Sequence, residues 1–481
     1  MSTTSRAIAD WMRLRDLTTV FGGPGADACP VDAYTDDVHR VRGLHEAVVV
    51  AMADGYASVT GRPALVDLGC AAHASGAVLG AAANRTPLIV TAGQGHGGDG
   101  CRPAAKWSCA PAPRDVPAAL EWAYHVALTP PRGPVFLSLP TDLGAEADLV
   151  PRIRPLAASA APDPVALAVL AERLDRARSP VLVVGADVDA SGGWAAAVEL
   201  AERCALPVWE AARSGRVSFP QSHPHYRGAL LPGPGAAARQ LAGHDLVLAA
   251  GVPPPEDVTA VLLTSDPSGA AYGDVIVGEV RQALAALSEL TKVRQEPLPG
   301  TWPAPSPAPR GSRPMSLRTA LAAVAAGAPE ETVWVCESPP SRPAFHDQIR
   351  INRPGSFLCA AGGGAGHGLP AAIGAQLGEP SRPVVAVVGD GSLQHAVAAL
   401  WSAAAYRVPL TVVVLTDGTQ AMLRWLSRLD GAGPGADLCA IAKGYGLAAS
   451  HVESAEALTA AVRIATASDL PMLVEVPVNG P

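Results

Sequence analysis

Two short turns carry the residues best suited to chemistry. The apolar run Val384–Val388 ends in Gly389-Asp390-Gly391-Ser392, and a second apolar run ends in Asp417-Gly418-Thr419, 27 residues after Asp390. In open parallel sheets, ligands bind beyond the carboxyl ends of the strands. Glycines let backbone N–H groups approach a phosphate, and a helix beginning there adds a favourable dipole. Two carboxylates at neighbouring strand ends can hold a hard cation through oxygen, leaving positions for phosphate oxygens and water. The pattern is that of a magnesium–diphosphate site. Gly-Asp-Gly-Ser alone is a common turn, and its pairing with Asp417 at the end of a second buried strand gives it weight.

The elements that must hold these turns recur along the chain. "PALVDL" and "TPLIVTAG" read as buried strands, with "HEAVVVAMADGYASV" as a helix before them. "SPVLVVGADV", "ALPVWEA", "HDLVLAAGV" and "AVLLTSD" follow as strands, with "GGWAAAVELAERC" as a helix. "ETVWVCES", "RPVVAVVGDG", "LTVVVLTDG" and "PMLVEVPV" complete the strands, with "AVAALWSAAAYR" as a helix. Strands this apolar, alternating with helices, imply parallel sheets covered on both faces. Proline-rich stretches near 151–164 and 296–314 break the alternation, because proline fixes φ and removes a donor. Three α/β domains with doubly wound parallel sheets result, at about 1–150, 160–292 and 315–481.

Composition excludes several classes. Of 481 residues, 49% are hydrophobic and 17% charged, which supplies ample core and rules out disorder for most of the chain. The net charge of −8, without a basic run, argues against a nucleic-acid groove, which needs clustered cations. No apolar stretch approaches the roughly 18–20 residues that span a bilayer. Arg6, Asp10 and Arg13 interrupt the first apolar residues, so a signal-peptide core is not expected. Eight cysteines without a CxxC spacing suit neither a disulfide framework nor a zinc site. The expectation is a soluble cytoplasmic protein without membrane or nucleic-acid partners. The middle region lacks a GxGxxG after a strand, so dinucleotide binding is not expected.

The motif pair resembles the thiamine-diphosphate (ThDP) binding motif, and "FGGPGA" (21–26), "HEAVVVAMADGYA" (45–57), "CAAGGGAGHGLPAAIG" (359–374) and "LRW" (423–425) fall in the order of that enzyme family. The resemblance is greatest to its benzoylformate decarboxylase branch. It implies a pyrimidine-binding domain first, a structural domain in the middle and a diphosphate-binding domain last. It implies ThDP and Mg2+ as cofactors, and a small 2-oxo acid as substrate. It also implies a homodimer or homotetramer whose active sites lie between chains. Glu46 would exchange a proton with N1′ of the aminopyrimidine, which leads to loss of the thiazolium C2 proton. Asp390 and Asp417 would bind magnesium through side chains, and Thr419 through its carbonyl. Gly389, Gly391 and Ser392 would approach the diphosphate, with His395 placed to contact a phosphate. Gly363 and Ala365 would face the aminopyrimidine, and Pro24 and Gly25 would line its pocket. Without the resemblance, Glu46 is only a polar residue opening a helix.

Several positions depart from the family pattern. Thr416-Asp417 stands for the usual Asn-Asn, Ala26 for a serine, and Leu68-Gly69-Cys70 where a histidine is usual. "GVPPPEDVTAVLL" in the middle region carries no active-site histidine, and Pro339 and Pro340 replace hydroxyl-bearing residues. Each lost proton-transfer group would cost about 10²–10⁴-fold in an unmodified mechanism. His73, His96, His367 and His395 are the nearby histidines that could compensate. The resemblance therefore implies a ThDP-dependent lyase that decarboxylates a 2-oxo acid through a C2 adduct and an enamine. The alternatives are a ThDP-dependent carboligase and, in another class, a catalytically silent ThDP-fold binding protein.

Overall fold

The computed structural model describes residues 2–26, 38–94, 100–148, 153, 159–252, 257–271, 273–294, 314–338, 341–417 and 436–479. The chain divides into two compact units, one of residues 1–158, 309–341 and 362–481, the other of 159–308 and 342–361. Half of the first proline-rich stretch and nearly all of the second lie outside the described residues, as do His96, Pro339, Pro340, Gly418, Thr419 and 423–425.

The first unit holds two parallel sheets. One is built from β1 (Thr19–Gly22), β2 (His39–Arg42), β3 (Ala64–Leu68), β4 (Leu88–Gly93), β5 (Trp107–Cys109) and β6 (Val135–Leu139), in the order β2-β1-β3-β4-β6-β5. Its Leu65, Ile89, Val135 and Leu137 pack against Trp11, Met12, Leu120 and Ala123 on one face. Helix α1 (Glu46–Thr60) packs against this sheet, and α2 (Ser75–Ala83) packs against α1.

In the second unit, β7 (Pro180–Val184), β8 (Val208–Glu210), β9 (Tyr226–Ala229), β10 (Leu246–Ala250), β11 (Val261–Thr264) and β12 (Asp274–Val277) run parallel, in the order β9-β8-β7-β10-β11-β12. Alternate residues of β7 enter opposite cores. Leu182 and Val184 meet helices α3 (Pro164–Arg176), α4 (Trp194–Arg203) and α5 (Val280–Leu290), whereas Val181 and Val183 meet Ala237 and Leu241. That period of two, apolar on both faces, is what a doubly wound sheet requires.

The other sheet of the first unit runs β13-β18-β16-β15-β14, with β17 paired to β18. Its strands are β13 (Met315–Ser316), β14 (Val333–Glu337), β15 (Val384–Gly389), β16 (Leu410–Thr416), β17 (Ala448–His451) and β18 (Met472–Asn479), all parallel to their neighbours. Helix α6 (Gly368–Gly378) crosses α1 at backbone contact. A Cβ on Gly374 would stand 1.7 Å from the Met52 carbonyl oxygen, and one on Gly55 would stand 1.9 Å from that of Ala371. Glycine is obligatory at both positions because neither backbone can yield.

The helix expected over 396–407 forms but starts three residues late. Helix α7 (Asp390–His395) ends first, and α8 (Ala399–Ala405) begins after a turn. Ala399 and Leu400 there donate to Ala396 and Val397, the tighter i→i+3 pattern. Alanine propensity alone does not carry a helix through the turn that follows the Gly-Asp-Gly-Ser stretch.

Candidate active site

Glu46 is the first residue of α1. His45 caps the helix, its Nδ1 accepting the N–H of Ala47 at 3.1 Å. The Glu46 side chain is only 7% exposed, and its Oε2 lies 3.6 Å from Nδ1 of His73. The "FGGPGA" segment folds closely around it. A Cβ on Gly23 would stand 3.2 Å from Glu46 Cγ, and one on Gly69 would stand 2.0 Å from the Pro24 carbonyl oxygen. Gly25 turns at φ +64° with open space where a Cβ would be, and Ala26 closes the turn by donating to Gly23 at 3.2 Å. The structure thus brings His73, beside the missing family histidine, to the Glu46 carboxylate. Cys70 is half-buried, and every described cysteine is a free thiol.

The second group of residues gathers at the carboxyl ends of β15 and β16. The register sets Gly389 beside Leu415, so Asp390 and Asp417 leave adjacent strands. Gly391 donates its N–H to Asp390 Oδ1 at 2.7 Å. Burial, then the facing Asp417 and Glu475, holds the Asp390 carboxyl above the usual carboxylate range. Among the described residues no cluster of three or more His, Cys, Asp or Glu side chains forms a metal cage. The expected set needs only two carboxylates, with Thr419 outside the described residues. Two half-buried carboxylates facing each other are a donor set that a divalent cation relieves, and no described residue stands within 4 Å of a Cβ position on Gly391. These residues fit magnesium and a diphosphate.

The glycine-rich turn before α6 is gripped from two sides. Glu337, at the end of β14, accepts the N–H of Gly366 at 2.6 Å and also that of Gly368. Burial raises the Glu337 carboxyl above its usual range, against these amides, His367 and a hydrogen bond with Ser392. Gly363 and Gly366 adopt φ +68° and +87°, and Gly363 and Gly364 have open space at their Cβ positions. Ala365 is exposed. His395, at the end of α7, packs its Cβ against Gly366.

Next to the crossing of the two helices, His367 Nε2 meets Asp54 Oδ2 at 2.8 Å. Asn84 Nδ2 donates to the same oxygen at 2.7 Å, and Thr86 donates to Oδ1. Burial opposes both charges. It is outweighed by the pairing, which lowers the Asp54 carboxyl and, with Glu337, raises the His367 imidazole. Among the described residues His367 Nδ1 has no hydrogen-bond partner. The sequence reading named His367 without a partner and missed Asp54, Asn84, Thr86 and Glu337. Asp54 and Glu337 stand inside the quoted segments "HEAVVVAMADGYA" and "ETVWVCES", but no spacing rule links them to residue 367.

The fold and this geometry agree with three family models. Residues 2–99 match the N-terminal TPP-binding domain of thiamine pyrophosphate enzymes, 167–287 their central domain and 341–476 their C-terminal TPP-binding domain. The chain belongs to the thiamine pyrophosphate enzyme family, whose cofactors are ThDP and a divalent metal such as Mg2+. Over 99% of both chains it is 39% identical to a benzoylformate decarboxylase of Pseudomonas aeruginosa. The solved structure of a Rhodococcus jostii RHA1 thiamine diphosphate-dependent 4-hydroxybenzoylformate decarboxylase superposes with a TM-score of 0.93, at 36% identity and covering 100% of each chain. An acetolactate synthase of Arthrospira platensis is 26% identical, covering 87% of this chain and 82% of its own. No helix among the described residues is long and apolar enough to cross a membrane.

Proposed function

We propose that the chain is a ThDP- and magnesium-dependent decarboxylase of a 2-oxo acid of the benzoylformate type. The observation that carries this reading is the pair Asp390 and Asp417 on adjacent strand ends, in a chain whose buried Glu46 opens α1. ThDP, when bound, supplies the electron sink for loss of carbon dioxide. Asp390, Asp417 and the Thr419 carbonyl would hold the metal. Gly389, Gly391 and Ser392 would accommodate the diphosphate, with His395 at the far end of α7. Gly363, Ala365, Pro24 and Gly25 would bound the aminopyrimidine, and Glu46 would hold and return the proton at N1′. Domain limits of 1–150, 160–292 and 315–481 belong to the same reading.

In this reading two copies share each site, giving a homodimer or homotetramer. Gly76, Leu79 and Ala83 support it: they leave one side of α2 apolar and exposed, with Leu79 at 56%. A cytoplasmic location suits the free thiols. Carboligation is the second reading, favoured by Ala26 and Gly69, which offer no proton donor where the family has serine and histidine.

The test is Glu46→Gln. It should leave ThDP affinity unchanged in a titration, because the diphosphate and metal contacts lie elsewhere. It should slow C2 hydrogen–deuterium exchange by about 10²-fold or more, the scale of a lost acid–base group. Exchange equal to that of the unmutated protein would remove Glu46 from the mechanism. Assay of benzoylformate with and without an acceptor aldehyde separates decarboxylation from carboligation. A protein that binds ThDP but exchanges no C2 proton would be the silent binding protein.

A further inference from the structure

We propose that His367 is a positioning residue: its imidazole pins the Gly363–Gly366 turn to α1 through Asp54, and so fixes where that turn presents its backbone. The proposal rests on the reading above that Gly363 and Ala365 face the aminopyrimidine.

The turn has few anchors of its own. Residues 362–365 are exposed, and among the described residues Gly363 and Gly364 have no neighbour within 4 Å of a Cβ position. Its C-terminal end is held by two kinds of bond. Gly366 and Gly368 donate backbone N–H groups to Glu337. His367, between them, reaches Asp54 at 2.8 Å. Asp54 is a fixed anchor, since Thr86 and Asn84 hold its two oxygens and the next residue, Gly55, is locked against Ala371. The His367 side chain is 13% exposed and that of Asp54 is 2% exposed. A charge-assisted bond at such depth is about twice as strong as a neutral one.

The charged and titratable groups facing His367 are Asp54 on α1 and Glu337 on β14. Asn84 adds an amide 3.4 Å from Nε2. Because pairing raises the imidazole above its ordinary value, the pin is fully charged below about pH 6.5 and weakens as pH rises through the raised value. It is not lost altogether, since a neutral imidazole can still donate from Nε2 to Asp54.

The experiment is hydrogen–deuterium exchange of the peptide covering 359–368 in the full-length protein without cofactor, from about pH 6 to about pH 10, corrected for base-catalysed chemical exchange. The unmutated protein should show a step of several-fold lower protection on the alkaline side. His367→Gln keeps a donor to Asp54 but cannot titrate. It should show the lower protection at every pH and no step. His367→Leu should be the least protected throughout. ThDP titration near neutral pH should follow the same order, weakened about fivefold in His367→Gln and tenfold or more in His367→Leu, the scale of coupling between separate sites. A flat profile in the unmutated protein would overturn the proposal. So would a step that persists in His367→Gln, which would belong to Glu337. If no variant binds ThDP, the functional reading fails while the exchange result still decides the role of His367.

Discussion

A buried pair in the cofactor unit, His367 with Asp54, and two groups in the middle unit, Glu210 and His346, meet burial in opposite ways. In the first, His367 and Asp54 face each other at 2.8 Å and pairing favours the charged form of both. In the second, Glu210 ends β8 with one oxygen accepting the N–H of Ser218 at 2.9 Å and the other without a partner among the described residues. Burial pushes its carboxyl up to about 8, against the attraction of Arg342. His346 accepts from Gln221 at 3.1 Å, and burial pushes its imidazole down to about 3. Depth alone therefore does not decide the charge state. A fixed counter-charge does, because desolvation favours neutrality wherever no partner offsets it. The His367–Asp54 pair keeps its charges and Glu210 and His346 lose theirs, while the middle unit keeps a buried charge where a partner meets it, Asp189 with Arg216 at 2.7 Å.

The comparison is broken most severely at the α1–α6 crossing. Gly374→Ala places a Cβ 1.7 Å from the Met52 carbonyl. Overpacking that neither backbone can relieve should cost about 3 kcal/mol or more in chemical denaturation. The loss should fall on the cofactor unit and leave the middle unit's transition in place.

Glu210 sharpens the contrast in the other direction. A carboxyl raised to about 8 is neutral in the fold, so its contribution is present below about pH 4.5 and is lost as pH rises toward about pH 8. By pH 7 the loss should be on the order of 3 kcal/mol. Glu210→Gln, neutral at every pH, should flatten that slope for the middle unit. A stability slope unchanged by the substitution would mean that Glu210 is ionised as found. The smallest effect is the control. Gly444→Ala, an exposed position with no described residue within 4 Å of its Cβ position, should change stability by no more than about 0.5 kcal/mol.

Much of this was legible in the chain. The apolar runs at 384–388 and 410–416 became adjacent parallel strands, because uninterrupted β-branched residues suit a sheet covered on both faces. "HEAVVVAMADGYASV" became α1, with Glu46 at its first turn. Less was legible where contacts join distant segments. His367 and Asp54 lie 313 positions apart, and neither type nor spacing announces their pairing. The short strand at His39–Arg42 was missed because alternating His-Arg-Val-Arg lacks the apolar continuity that marks the others. The turn at 396–398 that delays α8 was missed because the alanine-rich sequence carries no start signal there.

The central claim is that Asp390 and Asp417 hold a metal–diphosphate cofactor. The most direct measurement is the thermal unfolding midpoint with and without saturating ThDP and Mg2+, for the unmutated protein and for Asp390→Ala. A ligand bound only to the folded state at 100 times its Kd stabilises by about 2.7 kcal/mol. The account predicts a midpoint that rises by several degrees in the unmutated protein, requires both ligands together, and does not move in Asp390→Ala. An unmutated midpoint that stays fixed at saturation, or an equal rise in Asp390→Ala, would contradict it.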